Sequence, residues 1–302
     1  MHANAVVHVA DRSARPVSDD ELCKGLAVAE IVGPAEGSVH MQISESVLDP
    51  GGHIAGHLHP FEESFILLSG EVYLRMNGCD TAFRPGDFGV VPLGVAHSWR
   101  NVSDAPVKWL RVRAPQPRDV EVVRDSTFLV DSFGLPALSS SAPPFGLPTV
   151  RHFGHFDEVQ MPPPGPVAIR GANNYAVSNI SIRLMVDDTV GARHHIMFVG
   201  QMASAPEQAH NAPPPHYHAF EEMYYFVSGA ARGLLEGVEH PIRAGDVAFA
   251  GVNATHGFIP IGDEPLRWIE VMAPRPPEQD SMLFVNQWNA VQEASREGRR
   301  IT

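Results

Sequence analysis

The sequence predicts an all-β protein made of two similar small barrels or sandwiches in tandem, and two observations carry that expectation. First, residues 57–117 laid over 216–276 without a gap give 19 identities in 61 positions, at a constant offset of 159. A repeat of that length is one structural unit per copy. Second, the chain reads as short β-prone runs punctuated by turns, with 26 Gly and 27 Pro among its 302 residues, the pattern of a sandwich or small barrel. A chain of this length accommodates two domains of about 150 residues, each able to bury its own core.

Taken in order, Ser18-Asp19-Asp20-Glu21 has the form of a capping box and predicts a short helix that Gly25 would end. Strand-like runs follow at Phe65–Leu68, Val72–Met76 and Trp109–Arg113, with Met223–Val227 and Trp268–Met272 as later echoes. Asn77-Gly78 and Arg84-Pro85-Gly86-Asp87 supply turn chemistry between them. Ser139-Ser140-Ser141-Ala142-Pro143-Pro144 marks a linker. The expected domains are therefore 1–138 and 151–302, joined by 139–150. Met161–Pro166 reads as an irregular loop. A final amphipathic helix is expected around 281–296, with Phe284, Trp288 and Val291 as its apolar stripe.

The chemistry sits in the repeat. His57, His59, Glu63 and His97 reappear as His216, His218, Glu222 and His256. Alternation along a strand sends His57 and His59 the same way, and Glu63 with them if pairing resumes after a short step. Of the neighbouring carboxylates, parity selects Glu63 and leaves Glu62 for solvent or a supporting contact. With His97 arriving from a later strand, each copy would offer three neutral imidazoles and one carboxylate to a divalent transition metal. That donor set suits Fe, Mn, Ni, Cu, Co or Zn, up to one per domain, rather than Ca or Mg.

Both segments resemble the paired motifs of the cupin superfamily. Gly51, His57, His59, Glu63 and Gly70 match its first motif, and Gly86, Pro92, Gly94, His97 and Asn101 match its second. The later copy keeps every ligand but carries His210, Gly251, Asn253 and Pro260 where the pattern has Gly, Pro, Gly and Asn, which predicts a looser second site. The resemblance implies two tandem jelly-roll (double-stranded β-helix) barrels with short flanking helices. It also implies a metal-dependent enzyme, with the ligating Glu63 and Glu222 doubling as bases.

Residues two beyond the ligands share their parity, which nominates Phe65, Trp99, Tyr224 and Phe258 as pocket lining, or equally as barrel core. No arginine stands at an obviously inward position on this reading. An aromatic flank favours a dioxygenase acting on a small aromatic or hydrophobic oxygenated substrate, as the resemblance to two-domain quercetinases implies. The alternative is a non-oxidative decarboxylase, hydrolase or isomerase, for which oxalate decarboxylase is the two-domain relative. A non-catalytic binding protein is the third class, disfavoured by two complete ligand sets.

Composition narrows the partners. A net charge of −13 argues against nucleic acid and anionic membranes. No apolar run approaches a membrane span and the N-terminus lacks the order of a signal peptide, so a cytoplasmic protein with a small-molecule substrate is expected. Pairing into a homodimer stays open. Cys23 and Cys79 fall outside any framework spacing and read as ordinary thiols.

Overall fold

The computed structural model describes residues 2–18, 21–118, 126–136, 152–168, 176–204, 212–277 and 282–284. They are almost entirely strand, and helical structure among them is confined to short 3-10 turns such as Val9–Asp11 and Pro34–Glu36. No helix among them is long and apolar enough to cross a membrane. The expected linker 139–150 lies outside the described residues, as do His210, Trp288 and Val291.

Two compact units emerge, and their chain segments interleave. One comprises Ala10–Gln160 with Leu184–Met197; the other comprises Met1–Val9, Met161–Arg183 and Phe198–Thr302. The first barrel is a curled 11-stranded sheet, in which Val107–Ala114 lies between Gln42–Leu58 and Glu62–Ser69. The second barrel has a 7-stranded and a 5-stranded sheet, with Leu266–Ala273 beside Glu221–Ser228 in the former and His256–Ile261 beside His216–His218 in the latter.

The repeat sets matching local structure. Each copy has an Asp that closes the turn before it and holds a histidine on an added edge strand. Asp87 accepts the Arg84 amide at 2.7 Å while His155 Nδ1 lies 2.7 Å from its other oxygen. Asp246 accepts the Arg243 amide at 2.9 Å, with His8 Nδ1 at 2.6 Å. The edge strand Phe153–His155 thus completes the first barrel and Asn4–His8 the second. Asn77 and Gly78 take φ of 52° and 76° in the tight hairpin after Val72–Met76, the left-handed pair such a turn demands.

One expected helix is corrected. Glu21 and Leu22 form a turn and Cys23–Val32 is a strand laddered on Gln42–Leu58. Gly25 does take a left-handed φ of 71°, but at a register shift within that ladder rather than at a helix end. At Cys23–Val32 sheet pairing supplied by distant chain overrode a local signal. Of the helix expected around 281–296, only 282–284 are described, and Met282–Phe284 pairs with His216–His218 as a strand; the rest of that expectation lies outside the described residues.

The first core packs Phe65, Phe83, Trp99 and Trp109 with the aliphatic residues of the inner face. Phe65 and Trp99 are fully buried, their rings meeting edge to face at 5.0 Å, so they fill the barrel. In the second barrel Tyr224 and Phe258 also belong to the core.

Candidate metal centres

Strand pairing brings the histidines together. His57 lies directly opposite His97, and His216 opposite His256, in antiparallel register. Two residues beyond the first histidine of each pair, His59 and His218 stack flat on Phe61 and Phe220, with centroids 4.0 and 3.7 Å apart. Those two aromatics are identities in the repeat, but only the folded backbone shows them as ring supports.

All six imidazoles are anchored alike. Each Nδ1 faces a backbone carbonyl: Ala55, Phe61 and Val95 in the first barrel, Pro214, Phe220 and Ala254 in the second, at 2.7–3.1 Å. A carbonyl only accepts, so each Nδ1 must donate, and the Nε2 of the neutral ring is left with its lone pair for the centre. Nε2 of His59 and of His97 is buried without a hydrogen-bond partner, an expense that coordination would remove. Burial keeps the rings neutral: it pushes His59 down to about 4 and His216 down to about 3, and lowers His57 and His97 as well.

The carboxylates differ between the copies. His216, His218, Glu222 and His256 present donor atoms within 4.8 Å of one another, as do His57, His59 and His97. Glu222 lies 2.8 Å from His256 Nε2 and 3.0 Å from His218 Nε2, and it accepts the Tyr224 hydroxyl. Glu63 stands 3.8 Å from His59 Nε2 and equally 3.8 Å from Arg111. Phe65, at the position of Tyr224, has no hydroxyl to steer it. Burial raises the pKa of Glu63, but Arg111, His59 and Arg113 outweigh it and hold the carboxyl below its ordinary range.

Arg111 and Arg113 correct the expectation that no arginine faces inward. Arg113 pairs with Glu63 across strands and Arg111 with Phe65, which puts both on the barrel's inner face. The guanidinium of Arg113 also lies 5.7 Å over the Phe61 ring. Both line a groove of about 1060 Å³, together with Arg12, Arg15 and Arg118 against Asp11 and Glu30. Parity along the ligand strands does not reveal these cations, because they arrive from the neighbouring strand Val107–Ala114.

At the equivalent places the second barrel has Glu270 and Met272, paired with Tyr224 and Glu222. Glu270 is buried and accepts the Trp268 indole N–H at 2.7 Å. Burial, and then Glu222, raise its pKa well above the carboxylate range. The cavity here is about 70 Å³, lined by His216, Glu222, Tyr224, Phe258 and Glu270 among apolar side chains.

The turn that positions His256 is not loose. Asn253 takes a φ of 62° where Gly94 takes 73°, and the two amides donate to His218 and His59 carbonyls at 2.8 and 2.9 Å. Asparagine is among the non-glycine residues that best tolerate this conformation. Glu62, on the opposite face from Glu63, is likewise no solvent residue. It is buried, accepting the Arg193 and His194 amides at 2.7 and 3.0 Å, with His195 Nδ1 at 3.3 Å and Ser64 Oγ 2.7 Å from that ring's Nε2.

The family model for the cupin domain matches residues 44–113 and 191–272, together half of the chain. The chain belongs to the cupin family. No curated protein sequence matches this cupin. Among solved structures it is similar to the oxalate decarboxylase of Lactobacillus farciminis in complex with formate (TM-score 0.62, 18% identity, 96% of this chain and 92% of that one). It is similar also to the putative glyoxylate-induced protein of Pseudomonas aeruginosa (TM-score 0.62, 15% identity, 90% and 89% covered). A third likeness is to the protein YlbA of E. coli (TM-score 0.58, 13% identity, 90% and 92% covered). At these identities the likeness is one of fold: two jelly-roll barrels in one chain. Within that fold, two His-rich groups of this cupin have the donor chemistry of divalent-metal sites.

Proposed function

We propose that this cupin is a metal-dependent enzyme acting on a small oxygenated anion at its first centre, by a non-oxidative reaction of the decarboxylase, hydrolase or isomerase type. The observation that carries the reading is the pair of inward arginines, Arg111 and Arg113, beside His57, His59, Glu63 and His97. A divalent metal held by these donors would supply Lewis-acid polarisation of the substrate's oxygen. Arg111 and Arg113 would bind and orient the anionic group, since a guanidinium fork matches a carboxylate. Glu63, poised between His59 and Arg111, is placed to take or return a proton. The likeness in fold to oxalate decarboxylases agrees with this class without fixing the substrate.

The dioxygenase reading keeps one support. Tyr224 and Phe258 line an apolar cavity at the second centre. At about 70 Å³ that cavity is small for an aromatic ring, given that roughly 150 Å³ is needed to house benzene. The test is protein purified without a metal-affinity tag, reconstituted with single metals and screened against small carboxylates in air and under anaerobic conditions. Turnover that persists without O2 and whose KM rises at least tenfold in Arg111→Gln is the expected result. Product formation that consumes O2 in equal amount would move the assignment to the dioxygenase class.

A further inference from the structure

The concave face of the first barrel is polar well beyond its metal centre. Cross-strand partners share one face of a sheet, so the register shows which residues point inward together. From Trp109, a core side chain, one row runs through Ser46 and Val28 to Arg15 on the short strand Arg15–Pro16. The next row runs from Arg111 through Ser44 to Glu30, and a third joins Arg113 to Gln42. Within two residues of Trp109 the inner face thus changes from aromatic core to guanidinium. Arg15, Val28, Glu30, Gln42, Arg111 and Arg113 of these rows line the groove of about 1060 Å³, and none of the four cage residues is in that lining. Arg113, which is buried, and Arg111, whose side chain is 11% exposed, form its floor. Arg12, Arg15 and Arg118 are exposed at its rim.

We propose that this groove is a binding site in its own right, beside the metal cage, for an organic dianion whose two anionic groups are set apart by an apolar body. Charge is the first support. Five arginines against Asp11 and Glu30 leave the lining with an excess of three positive charges, in a chain whose net charge is −13. Part of that charge is engaged: Glu36 pairs with Arg12, and Glu63 stands 3.8 Å from Arg111. Arg15 and Arg118 make no hydrogen bond or ion pair to the other described residues. Spacing is the second support. The strand of Arg15 is three inter-strand steps from Val107–Ala114, about 14 Å along the curled sheet, so one anionic group can sit on the floor pair and the other at the rim. Each guanidinium fork matches a carboxylate or a phosphate. Between the two ends the walls are Pro16, Val17, Val28, Pro34, Ala35 and Pro117, which favour hydrocarbon over a hydroxylated chain. The volume fits the same class, since pockets for organic ligands span roughly 300–1000 Å³. The site requires neither the metal nor the reaction proposed above.

Suberate, succinate and octanoate make the test. Succinate keeps both charges of suberate on a shorter body, and octanoate keeps its length with one charge. In titration calorimetry on full-length, metal-loaded protein, suberate should bind at least about tenfold more tightly than either. Arg15→Gln with Arg118→Gln, at exposed positions outside the cage, should bring suberate down to the level of octanoate. Arg113→Met, which puts at the floor the side chain that Met272 supplies in the second barrel, should weaken suberate and octanoate alike. His57→Ala, which removes a donor of the cage, should leave suberate affinity within about twofold. Suberate binding no more tightly than succinate or octanoate would overturn the proposal, and so would an affinity unmoved by the Arg15 and Arg118 changes. Loss of suberate binding in His57→Ala would overturn it too, by moving the dianion onto the metal, and would leave the anion reading of the first centre standing. Turnover of small carboxylates that ignores Arg111→Gln would sink that reading alone and leave the groove assignment intact.

Discussion

Replacing Glu62 with alanine should destabilise the first barrel substantially while leaving its metal centre loaded. The carboxylate is 2% exposed and accepts two backbone amides, Arg193 at 2.7 Å and His194 at 3.0 Å. Its removal leaves two part-buried amide donors without their acceptor, at about 1 kcal/mol each. It also withdraws the group facing His195, whose ring holds Ser64 at 2.7 Å. A loss of about 2 kcal/mol follows, and Glu62→Gln, which keeps one acceptor oxygen, should lose about half of that. Burial pushes the pKa of Glu62 up, but His195 and the two amides outweigh it and hold the group below its ordinary value. Its contribution is therefore complete above the unfolded-state pKa and is lost as the pH falls through the lower folded one. Denaturant unfolding followed by tryptophan emission, with Trp99 and Trp109 reporting on the first core, measures the loss. Metal per chain by elemental analysis measures the centre. If Glu62→Ala emptied the first centre without shifting the unfolding midpoint, the assignment of Glu62 and Glu63 to opposite faces would be wrong.

Metal content provides the next check: His57→Ala and His216→Ala should each remove one metal per chain under native mass spectrometry, and the double variant should remove both. At the turn before His256, Asn253→Gly should be nearly neutral. Asn253→Val, forced to a φ near 62°, should cost about 1–2 kcal/mol and weaken metal retention at the second centre, read by thermal melts with and without metal. In metal-free protein, the folded-state pKa values of about 4 for His59 and about 3 for His216 lie below the 6.5 of an unfolded chain. The unfolded state then takes up protons first, so stability should fall as the pH drops from about 6.5 towards 4, by a few kcal/mol for each buried ring. A metal-free unfolding midpoint that stays constant across that window would show that these rings are not held neutral.

What the sequence showed of this cupin was whatever travels with the backbone repeat. The offset of 159 located eight candidate donors, of which seven converge in the two groups while Glu63 stands 3.8 Å from both His59 and Arg111, and strand parity alone sorted Glu63 from Glu62. Local patterns misled where distant chain decided the outcome: Cys23–Val32, where the helix announced by the capping box should have continued, is a strand paired with Gln42–Leu58, and the interleaving of segments between the two units has no short-range signal at all. The inward arginines were half legible. Their loss to Glu270 and Met272 could be read from the aligned copies, but the register that sets Arg113 beside Glu63 exists only once the strands are paired.

That division has a physical cause. The cage is built from backbone geometry, because every ligand imidazole is oriented by a carbonyl of a neighbouring residue and the His256 turn needs only a left-handed residue, which Asn253 supplies as Gly94 does. Substitutions around it leave those carbonyls in place. Exchanging Arg111 for Glu270, or Phe65 for Tyr224, therefore changes the field and the space at the metal without dismantling the donors. In the first barrel the carboxylate is drawn towards a guanidinium, and in the second it accepts a tyrosine hydroxyl and faces the Nε2 atoms of His256 and His218 at 2.8 and 3.0 Å. A duplicated cage of this kind is free to diverge in what it binds, because the residues that select a ligand are not the residues that hold the metal.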